Sequence, residues 1–287
     1  MDVDLVLLEV HVHDRAGRPV YSLAAGDFRV YEDGVRQEVA VFELERDQPV
    51  SLAVLIDNSR GMTDAPLRAG KAAVRQLIHL LRPEDEVLLA SYHKDFFLEQ
   101  TFTTDRAELM DALDNIYPRG RGGPAAGWLG AVMGSEPAYT GLAVDLALRE
   151  LRSRPNARRV VLAISNRFTG VGPATTDHVR TAEVPVYALS FCNAGWTILS
   201  LGGDRMALKD IVAESGGTTY GAGAPDLPHN LRRLAEGFKT FYHIGYYPAP
   251  RAETSKPRKI RVETLDKGLT VRTRRSYVPA AKPGSGR

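Results

Sequence analysis

At 287 residues, 44% of them hydrophobic and 25% charged, the chain has the composition of a globular protein able to bury a large core. The 37 Lys and Arg nearly cancel the 35 Asp and Glu, so no whole-molecule field marks a nucleic-acid or membrane-surface binder. The single cysteine, Cys192, excludes an internal disulfide and a cysteine-based zinc site, and no apolar run reaches the roughly 18 residues of a membrane span. In chain order, residues 1–47 read as strands only: LVLLEVHVH from Leu5 to His13, a turn-prone DRAGRP, then FRVYEDGVRQEVAVFELE with Asp33-Gly34 as a hairpin turn. The opening MDVDLVLLEV has neither a basic n-region nor a small-residue cleavage site.

Residues 48–240 alternate short apolar strands with helical segments, which predicts a doubly wound, mostly parallel sheet with helices on both faces. VSLAVLID stops at Asp57, and LRAGKAAVRQLIHLL has helical spacing and ends before Pro83. EVLLASY and FLEQTF are joined at His93, Lys94 and Asp95, a connection short enough for an antiparallel edge hairpin. Helices are expected over 106–116 and 141–152, separated by a Gly-rich and Pro-rich loop over 118–139. RRVVLAIS and VPVYALSF are two more buried strands, ALKDIVAESGGTTY holds a helix stopped at Gly216-Gly217, and 228–239 closes the unit. Strands then return in 241–280, with LTVRTRRSYV following RKIRVETL across Asp266-Lys267-Gly268, before a tail at 281–287. The economical architecture is one small β-module made from both ends of the chain, with the α/β unit inserted between them.

In an open α/β sheet a ligand crevice lies beyond the carboxyl ends of the strands, so the strand ends are where chemistry is sought. Asp57-Asn58-Ser59-Arg60-Gly61-Met62 follows one strand and Ser165-Asn166-Arg167 another. A carboxylate beside hydroxyls is the hard oxygen set Mg²⁺ accepts, usually with waters retained. Thr140 either adds a hydroxyl there or caps its helix. Trp128 and Met133, with Leu129 and Val132, place anchoring side chains on the long loop, or fold back as a lid over the sheet end.

Other constellations point to simpler roles. His11 and His13 share a strand face and read as solvated histidines, and neither HExxH, a P-loop, GxGxxG nor GxSxG occurs. Cys192 reads as a small hydrophobe at a strand end. Nine basic residues crowd 251–275, and Lys259, Arg261 and Glu263 alternate with Ile260, Val262 and Thr264, which predicts a charged, solvated strand face.

Asp57-Asn58-Ser59 after a buried strand, Ala72-Ala73 in the next helix, Thr140 opening TGLAVDLAL, and Ser165-Asn166 together resemble a von Willebrand factor type A (VWA) domain. The flanking VYEDGVRQEVAVFE and FYHIGYYPAP resemble the VWA-related subgroup of acidobacterial envelope proteins. The resemblance implies a Rossmann-like fold and a metal-ion-dependent adhesion site, in which Mg²⁺ keeps an open position for an acidic residue of a partner. It implies Asp57, Ser59 and Thr140 as the metal-facing residues, and an extracytoplasmic location. Two positions depart from the family's DxSxS and later Asp: Gly61 stands for a serine and Asn166 for the second carboxylate. One remaining carboxylate predicts weak Mg²⁺ binding, with no bound cofactor as the expected state.

The preferred expectation is a non-enzymatic protein-interaction or adhesion module, presenting this reduced site with Asn166, Trp128 and Met133 to a protein partner and not to nucleic acid. One alternative is an envelope scaffold that binds through the β-module, with Arg258, Arg261 and Arg272 as its basic face. The least favoured is a Mg²⁺-assisted hydrolase, because no nucleophile–base pair can be assembled from the sequence.

Overall fold

The computed structural model describes residues 5–59, 62, 65–119, 139–165, 171–191, 208–222, 227–249 and 256–279. Gly61, Asn166, Trp128, Met133 and Cys192 lie outside the described residues.

The α/β unit is built on a six-stranded sheet. In chain order its strands are β5 (Val50–Asp57), β6 (Glu86–Tyr92), β7 (Phe96–Thr103), β8 (Arg158–Ser165), β9 (Val186–Ser190) and β10 (Thr219–Gly221). They stand in the order β10-β9-β8-β5-β6-β7. All pairings are parallel except that of β7, which returns against β6 at the edge as the short His93–Asp95 connection requires. β5 lies between β6 and β8, so the chain winds outward in both directions from β5 and the topological switch falls beside it.

Alternation along the central strands sorts the helices between the two faces. Leu52, Val54, Ile56, Leu162 and Ile164 pack against α1 (Ala65–Leu80), α2 (Arg106–Asp114) and α6 (Leu227–Lys239). The other face presents small residues, Ala53, Ala90, Ala163 and Ala188, to Ala143, Val144 and Ala147 of α3 (Thr140–Arg152). α3 opens at Thr140, which is buried and hydrogen-bonded to Tyr92 at the end of β6. α4 (Pro173–Ala182) and α5 (Leu208–Ser215) complete this face. α4 has no counterpart in the sequence reading, since PATTDHVRTA is rich in threonine, a weak helix former. Thr140 is not a cap: Tyr139 holds that position without a side-chain bond, and Thr140 is the first helical residue.

Strands from both ends of the chain form two four-stranded antiparallel sheets, β13-β1-β11-β4 and β14-β12-β2-β3. The strands are β1 (Val6–His13), β2 (Phe28–Glu32), β3 (Val35–Gln37), β4 (Val41–Glu45), β11 (Phe241–Tyr246), β12 (Arg258–Thr264), β13 (Thr270–Arg272) and β14 (Ser276–Tyr277). Val6, Leu8, Val10, Phe28, Val30, Tyr242, Ile244, Ile260 and Val262 form their common core. Asp33 and Gly34, with φ of 48° and 84°, make the two-residue turn between β2 and β3. The run VRQEVAVFELE is not one strand, however: β3 ends at Gln37 and the chain crosses to the other sheet as β4. The Asp266–Gly268 turn likewise carries the chain between sheets, as β12 pairs β2 and β14 while β13 pairs β1.

The core of this sandwich contains one ionic node. Arg258 donates to Glu32 at 2.8 Å, and the same carboxylate accepts the hydroxyls of Tyr246 at 2.7 Å and Tyr277 at 2.9 Å. Both charged residues are buried, and the Glu32 carboxylate is satisfied by three donors, while Arg258 Nε is left without a hydrogen-bond partner.

Candidate functional site at the strand ends

β5 and β8 end side by side across the switch point, with Ile56 opposite Ile164, so Asp57 and Ser165 are delivered together. One Asp57 oxygen accepts the Ser165 hydroxyl at 2.6 Å and the other accepts the Ser59 backbone N–H at 2.9 Å. The second bond is local: a carboxylate closing on an N–H two residues ahead turns the chain out of the strand. Asp57, Ser165 and Thr140 are wholly buried and Ser59 nearly so.

Thr140 reaches the cluster through Tyr92, the last residue of β6. Its hydroxyl donates to the Tyr92 oxygen at 3.4 Å, and the Tyr92 phenol is also hydrogen-bonded to Ser165. Burial, followed by the nearby Asp57 charge, pushes the phenol well above its ordinary pKa, so it keeps its proton at neutral pH. Asn58 fixes the turn from the other side, donating from its side chain to Ser91 Oγ at 3.1 Å and to the Tyr117 carbonyl at 3.2 Å. Its own carbonyl accepts the Arg119 N–H at 2.9 Å, which ties the start of the long loop to the end of β5. Sequence reasoning missed Tyr92 and gave Asn58, though part of the strand-end motif, no role of its own. The signal available for Tyr92 was its place at the end of β6, beside the switch point.

The structure therefore brings Asp57, Ser59 and Ser165 into direct contact and joins Thr140 to them through Tyr92. For a hard divalent cation these donors fit by type, being a carboxylate and hydroxyls. They bring a single formal charge, and both carboxylate oxygens already accept protein hydrogen bonds. Such a set suits an ion that is loosely held and keeps most of its water. No group of three His, Cys, Asp or Glu side chains comes together among the described residues.

Two expectations elsewhere in the chain are overturned. His11 and His13 are not solvated: His11 is buried, with Nε2 at 3.4 Å from the Tyr187 hydroxyl and its ring tilted against Phe241, and His13 is half-buried. The reason is that β1 is covered on both faces, by its own sandwich and, on the Glu9, His11 and His13 side, by the α/β unit. The basic run is not one surface either. Arg258 is inside the sandwich, and Arg272 is half-buried and donates to Thr218 at 2.6 Å. Lys259 and Arg261 remain exposed, as their alternation with Ile260 and Val262 predicts.

These features define a doubly wound α/β protein whose oxygen-rich cluster sits at the topological switch point. Residues 52–168 match the family model of the von Willebrand factor type A domain, and the chain carries such a domain. No curated protein matches the chain. Among solved structures, proximal thread matrix protein 1 from the mussel byssus is similar at 11% identity and a TM-score of 0.50, over 68% of this chain and 49% of that one. A von Willebrand factor type A protein from Catenulispora acidiphila is 12% identical with a TM-score of 0.49, over 88% of this chain and 76% of that one. The conserved hypothetical protein BatB from Bacteroides thetaiotaomicron is 16% identical with a TM-score of 0.47, over 66% of this chain and 98% of that one. At such identities the likeness concerns the fold alone.

Proposed function

We propose that the chain is a non-enzymatic protein-interaction module whose strand-end cluster, a reduced metal-ion-dependent adhesion site, faces a protein partner. The observation that carries this reading is the meeting of Asp57, Ser59, Ser165 and Thr140 at the switch point of a von Willebrand factor type A domain, a family that commonly mediates protein–protein interaction or adhesion. The chemistry of the cluster supports binding over turnover. Its carboxylate is spent on two protein donors, and its phenol is held protonated and unable to act as a base at neutral pH.

Asp57, Ser59 and Thr140 are the residues that would hold Mg²⁺, Asp57 by charge and the hydroxyls by their lone pairs. When bound, the ion would offer a vacant position to a carboxylate of the partner. Asn166 and, on the loop over 118–139, Trp128 and Met133 belong to the same proposal as partner-facing residues. So does the extracytoplasmic location implied by the sequence resemblance. Among the described residues no helix is long and apolar enough to cross a membrane.

The test is selection of binders to the immobilised chain from a displayed random-peptide library, with and without Mg²⁺, followed by affinity measurement on variants that keep the wild-type circular dichroism spectrum. Binders from this site lose affinity for Asp57→Asn and Ser59→Ala by about tenfold, the effect of about 1.4 kcal/mol. A panel of binders indifferent to both substitutions removes the strand ends from the account. Calorimetric titration of Mg²⁺ and Mn²⁺ into chelator-stripped protein tests the cation separately. Binding at millimolar concentration that Asp57→Asn abolishes would mark a working ion site.

A further inference from the structure

The outer face of the β14-β12-β2-β3 sheet carries a charge pattern separate from the strand-end cluster. Cross-strand register places Arg36 of β3, Tyr31 of β2 and Arg261 of β12 in one row across the sheet. The neighbouring row pairs Arg29 with Glu263, and Lys259 stands two residues before Arg261 on the same side. Neighbouring strands are about 4.8 Å apart, so the row places Arg36 and Arg261 on the two strands that flank Tyr31. The Arg261 guanidinium already lies 4.1 Å from the Tyr31 ring centre.

Four cations and one carboxylate occupy these positions, whereas the entire chain has a formal net charge of only +2. Glu263 is taken by Arg261 and by Lys267, the latter at 3.6 Å. Asp33, at the end of the face, accepts the Lys259 backbone N–H at 3.0 Å and closes the hairpin turn. Glu38 lies beyond the end of β3. Among the described residues, Arg29, Arg36 and Lys259 have no carboxylate within ion-pair distance, and Arg36 and Lys259 are exposed. The opposite side of the same strands is fully committed, with Val30, Ile260 and Val262 in the sandwich core and Glu32 paired to Arg258.

We propose that this face is a second docking surface, for an acidic polypeptide segment laid across the Arg36–Tyr31–Arg261 row. Charge complementarity supplies the partner's sign, and the tyrosine between two arginines supplies a flat apolar platform of the kind that anchors protein interfaces. A nucleic acid is the poorer match: tight backbone tracking uses some six to ten phosphate contacts, more than the cations assembled here.

The experiment uses the full chain and a fluorescein-labelled peptide of ten residues alternating Glu and Ser, titrated by fluorescence anisotropy at 20 mM and 150 mM salt. The concentrations follow from the Debye length, which falls from tens of ångströms to about 8 Å over that range. The peptide binds the wild-type chain, binding weakens by about tenfold or more in Arg36→Glu/Arg261→Glu and falls in Tyr31→Ala, and Asp57→Asn leaves it unchanged. Arg36 and Arg261 are exposed and Tyr31 is half-buried on the outer face, whereas Asp57 is buried, so circular dichroism checks that every variant keeps the fold. Equal binding by wild type and the double charge reversal overturns the proposal. So does tighter binding, at equal charge, of a single-stranded oligonucleotide or of vesicles containing phosphatidylserine. Because Asp57→Asn is silent here and the arginine reversals are silent at the strand ends, failure of one surface leaves the other standing.

Discussion

Asp57 serves the fold as well as the proposed site. Its carboxylate is the acceptor for a buried hydroxyl and a buried backbone N–H, and each donor left without a partner costs about 1–3 kcal/mol. Asp57→Ala is therefore expected to lower the unfolding free energy by about 2–6 kcal/mol in urea denaturation. Asp57→Asn should lose less, since its carboxamide keeps one acceptor oxygen, which is why the asparagine variant is the better probe of binding. A loss below about 0.5 kcal/mol for Asp57→Ala would mean that water replaces both bonds and that the site is wetter than its burial implies. The importance of Asp57 is legible from sequence alone, because a carboxylate ending an apolar strand has few structural reasons to be there. Tyr92 is different: at the end of EVLLASY it reads as one more apolar residue. Only the placement of Thr140 at the start of α3 turns its hydroxyl into the link between Thr140 and Ser165.

Among elements, those governed by local rules are the ones the sequence announces. β5 and β8 run over the predicted residues because apolar runs bounded by polar ends leave few options. The end of α5 is equally local. Gly216 takes φ of 86°, and the Gly217 N–H returns to the Val212 carbonyl at 2.9 Å, the bond of a glycine-terminated helix. Gly217 meets a second demand, since a Cβ there would lie 2.0 Å from the Val186 carbonyl oxygen of β9. The environment of β1 was not legible in this way, because alternation reports that a face is polar and not what covers it. Burial and then Arg158 hold the His11 pKa well below its ordinary value, with His13 and Arg272 adding to the effect. His13 is lowered to about 4 by burial, Arg272 and Arg233, against a small opposing effect of Asp14.

Both rings are thus neutral in the folded chain at pH values where the unfolded chain protonates them. Between about pH 6.5 and 4 the unfolded state binds more protons, so the stability these groups contribute is complete above that window and is lost as pH falls through it. The melting temperature should drop across this range. His11→Asn/His13→Asn should flatten the drop relative to wild type, a difference that separates the histidines from the carboxylates titrating at the lower end. Parallel wild-type and variant profiles would mean that the junction opens and solvates the rings before they titrate.

At the scale of the whole molecule, the β-module grips the α/β unit at the pole away from the candidate site. Arg158 opens β8 and Ser165 closes it, a separation of about 23 Å at the usual rise per residue. The Arg158 side chain is buried at that far end, paired with Glu9 of β1, donating to the Phe238 carbonyl at 2.9 Å and lying 4.4 Å from the centre of the Phe241 ring. Arg274 donates to the Leu7 carbonyl and pairs with Glu183, while Arg180 bonds both Glu214 and Ser276, so strands from both chain ends are held by arginines. Neither sequence periodicity nor motif announces this seam, because its partners lie up to 267 residues apart.

An arginine buried in this way depends on its carboxylate. Removing one member of such a pair costs about 3–5 kcal/mol, because the remaining charge is stranded away from water. Glu9→Ala should accordingly destabilise the chain by that amount and loosen the seam specifically. In scanning calorimetry the wild type is expected to melt in one transition, and Glu9→Ala to show an earlier transition for the β-module ahead of the α/β unit. Glu9→Ala/Arg158→Met, which removes both charges and keeps the bulk, should recover most of the loss. Recovery would assign the effect to the stranded charge. A single unshifted transition in Glu9→Ala would instead place the coupling in the other arginines of the seam, and a double variant no better than Glu9→Ala would place it in the packing of Arg158 on Phe241.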